Sequence, residues 1–235
     1  MYRLLDYRNM AAADAIVELM IHAVPGLKFK LMEGIRVAEF GCGSGRLISS
    51  LATRFPSSAF TGSEYRADLV VQMKSSWGYL SNVRFEVFDL CQSNPNPDRK
   101  LDWIYAIDVI HYLPYPLTAL KVIRALMKDA GSLFMSVEMT GNESHLVPAE
   151  KAGGERPTDD AGYLEDAGSL EAASVYALST FLSLPERNQR VNRDVFGSGW
   201  SKKTAVDIYT MAGFKVRVQD LDGAEGRKTL LICEP

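Results

Sequence analysis

Three glycines fall within five positions in VAEFGCGSGRL, Val37 to Leu47, directly behind an apolar run. Glycine weakens regular structure by about 0.5–1 kcal/mol relative to alanine, so such a cluster marks a place where backbone must come close to something else. Gly41, Gly43 and Gly45 follow a strand-like segment and precede a helix-like one. In an open parallel sheet that puts them at the carboxyl ends of the strands, where ligands bind. The spacing departs from the dinucleotide fingerprint G-x-G-x-x-G, whose sixth position is here Arg46, and no Lys-Ser/Thr pair follows to make a Walker loop. Glu39 stands two positions before the first glycine, where a carboxylate repels a phosphate and attracts a cation.

The elements that must position these residues alternate along the chain. Ala11 to His22 has apolar residues at helical spacing and is closed by Pro25-Gly26. Strands are expected at Ile35–Phe40, Ser58–Glu64, Val83–Leu90, Leu101–Asp108 and Ser132–Glu138, and helices at Arg46–Phe55, about Ala67–Leu80 and about Thr118–Lys128. The fourth strand is almost continuously apolar, which suits a strand covered on both faces. Past Met139 the chain turns polar and rich in Gly and Pro, too long for a plain connection, with one amphipathic helix expected from Leu170 to Leu184. From Ser201 a helix to Ala212 leads into Phe214–Asp220 and Lys228–Glu234, close enough for an antiparallel hairpin. The expected fold is α/β: a doubly wound, mostly parallel seven-stranded sheet with helices on both faces and an antiparallel edge hairpin at the C-terminus. One domain spans 1–235, with 1–30 as a helical lid and 139–200 as an insertion capping the substrate.

The heptapeptide Glu39-Phe40-Gly41-Cys42-Gly43-Ser44-Gly45 resembles the first motif of the class I S-adenosylmethionine-dependent methyltransferases, an acidic residue followed by G-x-G-x-G. Further matches recur in order. Glu64 stands where the family places an acidic residue on the two ribose hydroxyls, Asp89 where one accepts from the adenine amino group, and Asp108 beside the methionine portion. The likeness covers Ile35 to Glu138, and Trp200 to Val216 is similar to the family's last helix and strand. It implies S-adenosyl-L-methionine as cofactor, S-adenosyl-L-homocysteine as product, and a cofactor site of Glu39, Gly41, Cys42, Gly43, Gly45, Glu64, Tyr65, Asp89, Leu90 and Asp108.

Such a cofactor carries an already activated methyl group, so the protein must supply alignment, which contributes roughly 7–11 kcal/mol when good. A general base is needed only for an acceptor protonated at working pH and adds ~10²–10⁴-fold. His111, in DVIHYLPY after the fourth strand, and His145, in the loop after the fifth, are the catalytic candidates; the alternatives are a structural hydrogen-bonding role and an exposed loop histidine. Glu138 is a further candidate on the acceptor side, and His22 reads as a helix-end residue. No metal site is expected.

Composition narrows the class. A hydrophobic fraction of 47% and a charged fraction of 23% are ordinary for a globular chain of 235 residues. The net charge of -3 and scattered Lys and Arg argue against nucleic acid as partner. No apolar stretch approaches the ~20 residues that cross a bilayer, so no membrane partner is expected. Three separated cysteines suit a reducing compartment, here the cytoplasm. The leading expectation is O-, N- or C-methylation of a small organic acceptor. The alternatives are a protein or RNA methyltransferase, or a methyltransferase-like protein that binds the cofactor without transferring methyl. Oligomeric state is left open, a homodimer included.

Overall fold

Apolar residues on both faces make β1 (Arg36–Phe40) a central strand: Val37 packs into the layer on one side, Ala38 and Phe40 into the layer on the other. The structure is a computed structural model that describes residues 14–92, 94–96, 98–139, 201–221 and 228–235. A helical segment over 14–23, labelled α1, is followed by α2 (Leu27–Glu33), β1, α3 (Arg46–Arg54), β2 (Ala59–Glu64), α4 (Ala67–Trp77), β3 (Val83–Val87) and β4 (Trp103–Ile107). A short 3-10 turn at Ile110–Tyr112 leads to α5 (Pro116–Leu126) and β5 (Leu133–Met139); α6 (Lys202–Met211), β6 (Lys215–Leu221) and β7 (Lys228–Glu234) complete the described chain.

The seven strands form one sheet in the order β3-β2-β1-β4-β5-β7-β6. β1 to β5 run parallel, and β7 lies antiparallel to both β5 and β6. This is the doubly wound architecture with a C-terminal hairpin that the alternation of elements predicts. One face carries Val37, Trp103, Tyr105 and Met135 against Ile48 and Leu51 of α3, Val70 and Met73 of α4, and Ile16, Val17 and Met20 of α1. The other carries Phe40, Ile104, Ala106 and Phe134 against Leu120 and Ile123 of α5 and Ala205 and Tyr209 of α6. The order reverses between β1 and β4, whose first following loops therefore open a crevice at the carboxyl edge.

Several boundaries differ from the sequence pattern for local reasons. α2 was not expected beyond Pro25-Gly26. It starts from Gly26 at φ 81° and buries Leu27 and Leu31, a single i, i+4 pair too short to stand out as a period. α5 begins at Pro116 rather than Thr118, because proline needs no donor at the first helical position. β3 ends at Val87 because Asp89 turns the chain, its Oδ1 accepting from the Cys91 N–H at 2.8 Å. No helix forms among the described residues between β3 and β4, which leaves a groove of about 510 Å3 at the amino edge, lined by Arg36, Thr61, Arg84 and Arg99. That groove is remote from the glycine turn. Of the predicted lid, α1 packs on α3, with Asp14 2.8 Å from Arg46. Residues 1–13, nearly all of the predicted 139–200 insertion and its helix at Leu170–Leu184 lie outside the described residues. No helix of the described residues is long and apolar enough to cross a membrane.

Candidate functional site

β1 ends at Phe40 and the chain turns through Gly41, Gly43 and Gly45 at φ 71°, 53° and 72°. The three serve different purposes. A Cβ on Gly41 would lie 2.5 Å from Val109 Cγ2, and one on Gly45 would lie 2.8 Å from both Met73 Sδ and Phe85 Cε1, so these two let the turn pack tightly. A Cβ on Gly43 would meet nothing within 4 Å, so there the turn borders open space. The Gly41 N–H bonds Ser63 O at 2.8 Å and the Gly45 N–H bonds Cys42 O at 2.8 Å, closing the turn onto β2 and onto itself. Cys42 directs its Sγ into the core, 3.5 Å from Met73 Sδ, and burial pushes its thiol far above the ordinary range. Only its backbone belongs to the turn.

Glu64, the last residue of β2, is 5% exposed. Its Oε2 accepts from the Gly43 N–H at 3.2 Å and its Oε1 from the Tyr65 and Arg66 N–H groups at 2.9 and 3.3 Å. Beyond the turn lies a cleft of about 310 Å3 lined by Phe40, Gly41, Tyr65, Asp89, Leu90, Val109 and Tyr112, among others. The expected cofactor residues Gly41, Tyr65, Asp89 and Leu90 thus share one cleft, while Gly43 and Glu64, hydrogen-bonded to each other, follow Gly41 and precede Tyr65 without lining it. Glu39 is placed elsewhere. Its side chain points under α3, where Oε2 accepts from Tyr105 Oη at 3.1 Å and the carboxyl also takes the Ile48 N–H. Burial, followed more weakly by the neighbouring Glu64 charge, raises its pKa from 4.5 to about 8 against the lowering effect of those two bonds. At neutral pH it is mostly a neutral acid bracing β1 to β4 and α3, and the charge at the edge comes from Glu64, Asp89 and Asp108.

Asp108 follows β4 at φ 53°, with its N–H on Val137 O at 2.9 Å. Its Oδ2 accepts from Lys228 Nζ at 3.1 Å; its Oδ1 is buried without a hydrogen-bond partner. His111 and Glu138 are both fully buried and bonded to each other: Glu138 Oε2 accepts from the His111 backbone N–H at 3.2 Å and contacts ring Nδ1. Glu138 Oε1 accepts from Tyr209 Oη at 2.9 Å and from Ser136 Oγ. A carboxylate on Nδ1 fixes that nitrogen as the donor and directs the lone pair to Nε2, the arrangement that makes histidine a base. Tyr112, whose ring centroid is 4.1 Å from that of His111, lines the cleft. His145 lies outside the described residues. His22 is exposed, its Nδ1 2.7 Å from Glu18 O, at the end of α1. Sequence reasoning did not single out Tyr105, Tyr209 or Lys228, because each acts through a partner distant in sequence, nor Ser136 and Val109, whose roles depend on which neighbour their strand or turn brings against them.

Comparison with known proteins agrees with this geometry. Residues 38–133 match the family model described as methyltransferase domain. Among solved structures it is similar to the CurJ carbon methyltransferase, with 12% identity, a TM-score of 0.60 and 95% of this chain covered. It spans about half of that protein, 53% of its chain. The magnesium protoporphyrin IX methyltransferase from Synechocystis, solved with bound S-adenosylhomocysteine, matches at 13% identity and a TM-score of 0.59, over 95% of this chain and 84% of that one. The [4+2]-cyclase SpnF matches at 16% identity and a TM-score of 0.62, over 95% and 81%. Identities this low bear on the fold alone. A search of curated proteins gives no match.

Proposed function

We propose that this chain methylates a small organic acceptor using S-adenosyl-L-methionine, and that His111, oriented by Glu138, removes the acceptor's proton. The observation that carries the reading is the turn at Gly43, open to space on its Cβ side and joined through its N–H to the buried carboxylate of Glu64. The donor set fits such a cofactor. A carboxylate has about four acceptor sites and Glu64 uses three of them on backbone N–H groups, so Oε2 keeps one for a ribose hydroxyl. Asp89, Tyr65 and Leu90 line the cleft, where the Asp89 carboxylate offers an acceptor of the kind an adenine amino group needs, and Asp108 has a buried oxygen without a donor. Glu39 contributes indirectly, by bracing the strand that ends in the turn.

When bound, the cofactor supplies a methyl group on a positively charged sulfur. The chain's own residues then hold the reactants in line and exclude water, and His111 takes a proton at Nε2 while Glu138 steadies Nδ1–H. The small acceptor is supported by the modest cleft with its aromatic and aliphatic lining, by a net charge of -3, and by the name of the magnesium protoporphyrin IX methyltransferase that shares the fold. The buried thiols Cys42 and Cys233 fit a cytoplasmic setting.

Calorimetry with S-adenosylhomocysteine tests the pocket. Glu64→Ala is expected to weaken binding at least about tenfold, since a buried charged acceptor carries roughly 1.5–3 kcal/mol; unchanged affinity overturns the ribose assignment. Mass spectrometry of acceptor mixtures tests transfer. His111→Ala should abolish products heavier by one methylene while leaving cofactor affinity intact, whereas loss of product in His145→Ala alone moves the base to that residue. Tight cofactor binding without product from any acceptor class favours the non-transferring alternative.

A further inference from the structure

Two neighbouring strands depart from the rest of the sheet on its second face. There β1, β4 and β5 present Ala38, Phe40, Ile104, Ala106 and Phe134 to the core that α5 and α6 cover. β2 and β3 present Thr61, Ser63, Arg84 and Glu86 instead, since side chains alternate along a strand and Phe60 and Phe85 belong to the first face. A polar face of this kind offers no seat to the apolar stripe of a helix, and among the described residues none forms between β3 and β4. The groove over it holds about 510 Å3, against about 310 Å3 for the cleft at the glycine turn. That volume falls in the range of small-molecule sites, roughly 300–1,000 Å3.

The charge of the groove selects its occupant. Arg36, Arg84, Arg99 and Lys100 line it, and among its described lining residues Asp98 is the one carboxylate. Arg36 and Arg84 stand on strands two apart in the sheet, about 10 Å by strand spacing, and so flank the groove from two sides. Glu86 is the one described carboxylate paired with any of the four cations, on Arg99 Nη1. Arg84 Nε donates to Thr61 Oγ1 at 3.0 Å and Lys100 Nζ to Ala125 O at 3.1 Å, neutral acceptors that leave both charges unmatched. Arg99 is held firmly, its guanidinium 5.8 Å from the centroid of the Phe88 ring and its side chain 11% exposed. Its Nε is buried without an acceptor. Buried donors are nearly always bonded, so this N–H calls for an acceptor that the described residues do not supply. The whole chain carries a net charge of -3, so the positive field is local to the groove and favours a small anion over a nucleic-acid strand. Guanidinium groups match phosphate oxygens in a planar fork, and several around one groove suit a ligand with more than one negative charge. We propose that this groove binds the phosphoryl groups of a phosphorylated small molecule, at the edge of the sheet opposite the cofactor cleft.

Calorimetry on the full chain at constant ionic strength, with inorganic pyrophosphate as the probe, tests the site. The wild-type chain is expected to show one saturable site. Arg84→Gln, at an exposed position, should weaken binding about tenfold. Arg99→Lys keeps a cation beside Glu86 but loses the planar fork, and should weaken binding by about tenfold to a hundredfold. Lys121→Gln removes an exposed cation of α5 outside the groove and should leave affinity within about twofold. Melting temperatures without ligand report whether each variant is folded. Should Arg99→Lys fail to fold, the double variant Arg36→Gln, Arg84→Gln, changed only at exposed positions, carries the test with an expected loss of about a hundredfold. The inference is overturned if pyrophosphate gives no saturable heat with the wild-type chain, or if the groove variants bind it as the wild type does. A loss in Lys121→Gln equal to theirs also overturns it, as the mark of diffuse attraction. Competition between pyrophosphate and S-adenosylhomocysteine overturns it too, because the anion would then occupy the cofactor cleft. Tighter binding of citrate overturns the phosphoryl assignment, and tighter binding of a short oligoribonucleotide with the same dependence on Arg84 and Arg99 overturns the small molecule. The cofactor reading is judged apart, by S-adenosylhomocysteine binding alone.

Discussion

Glu39 stands at the head of the glycine motif, yet its carboxyl is turned beneath α3 onto Tyr105 and Ile48. Burial raises its pKa from 4.5 to about 8, so over that interval the folded protein keeps a proton that the unfolded chain releases. The contribution of this group to stability is therefore complete below about pH 4.5 and is lost as pH climbs through about 8, by roughly 1.4 kcal/mol per unit and on the order of 4–5 kcal/mol in total. Glu39→Gln keeps an acceptor for Tyr105 and removes the titration. Its stability relative to wild type should rise steadily between pH 5 and 8, measured by urea unfolding at several pH values. Parallel stability curves for the two proteins would show that Glu39 is already ionised in the fold. Asp108 shows the opposite design, an edge carboxylate whose charge is matched by Lys228.

At the scale of elements, the β1–α3 turn separates packing from binding in neighbouring glycines. Gly41→Ala must displace Val109, because a methyl group there would lie 2.5 Å from its Cγ2, and it also takes on a positive φ. It should cost roughly 2–5 kcal/mol, combining overpacking of about 1–3 kcal/mol with left-handed strain of about 1–2 kcal/mol. Gly43→Ala has only the strain, about 1–2 kcal/mol, but its methyl group enters the open space next to the Gly43 N–H. Denaturation midpoints should thus rank wild type above Gly43→Ala above Gly41→Ala. Adding Val109→Ala should recover part of the stability lost in Gly41→Ala and none of that lost in Gly43→Ala. Calorimetry should find S-adenosylhomocysteine binding badly impaired in Gly43→Ala despite its better stability. This turn was legible in the sequence because glycine spacing is a backbone requirement and needs no tertiary partner. The ends of β2 and β4 were legible too, since Glu64 and Asp108 stand where the expected strands stop, within one residue of the observed ends, whereas β3 stops earlier because the Asp89 side chain turns the chain after Val87. The short helix α2 and the inward turn of Glu39 were not, since both depend on which face of an element meets a neighbour.

The whole molecule is tied together at the carboxyl edge by a buried carboxylate that no motif announces. Sheet order sets β5 between β4 and β7, so Glu138 of β5 meets His111 after β4, while α6 brings Tyr209 over the second face to the same carboxylate. Spacing could name His111 and Glu138 as candidates but could not pair them, because pairing follows from strand order and not from sequence distance. Two donors, Tyr209 Oη and Ser136 Oγ, converge on one oxygen, Glu138 Oε1. Either alone can satisfy it. Tyr209→Phe preserves the ring stacked on Phe134, 5.9 Å away and 7° from parallel, so only the hydroxyl is lost. Each single substitution, Tyr209→Phe or Ser136→Ala, should therefore cost about 1 kcal/mol, the net worth of one hydrogen bond. The double variant should lose more than the sum by roughly 1–3 kcal/mol, because only then is a buried charged oxygen left bare. At about 2–4 °C per kcal/mol for a chain of this size, the melting temperature of the double variant should fall clearly beyond the added shifts of the singles. Simple additivity would mean that the two hydroxyls do not share one acceptor, and that the C-terminal helix is held to the edge by ring packing alone.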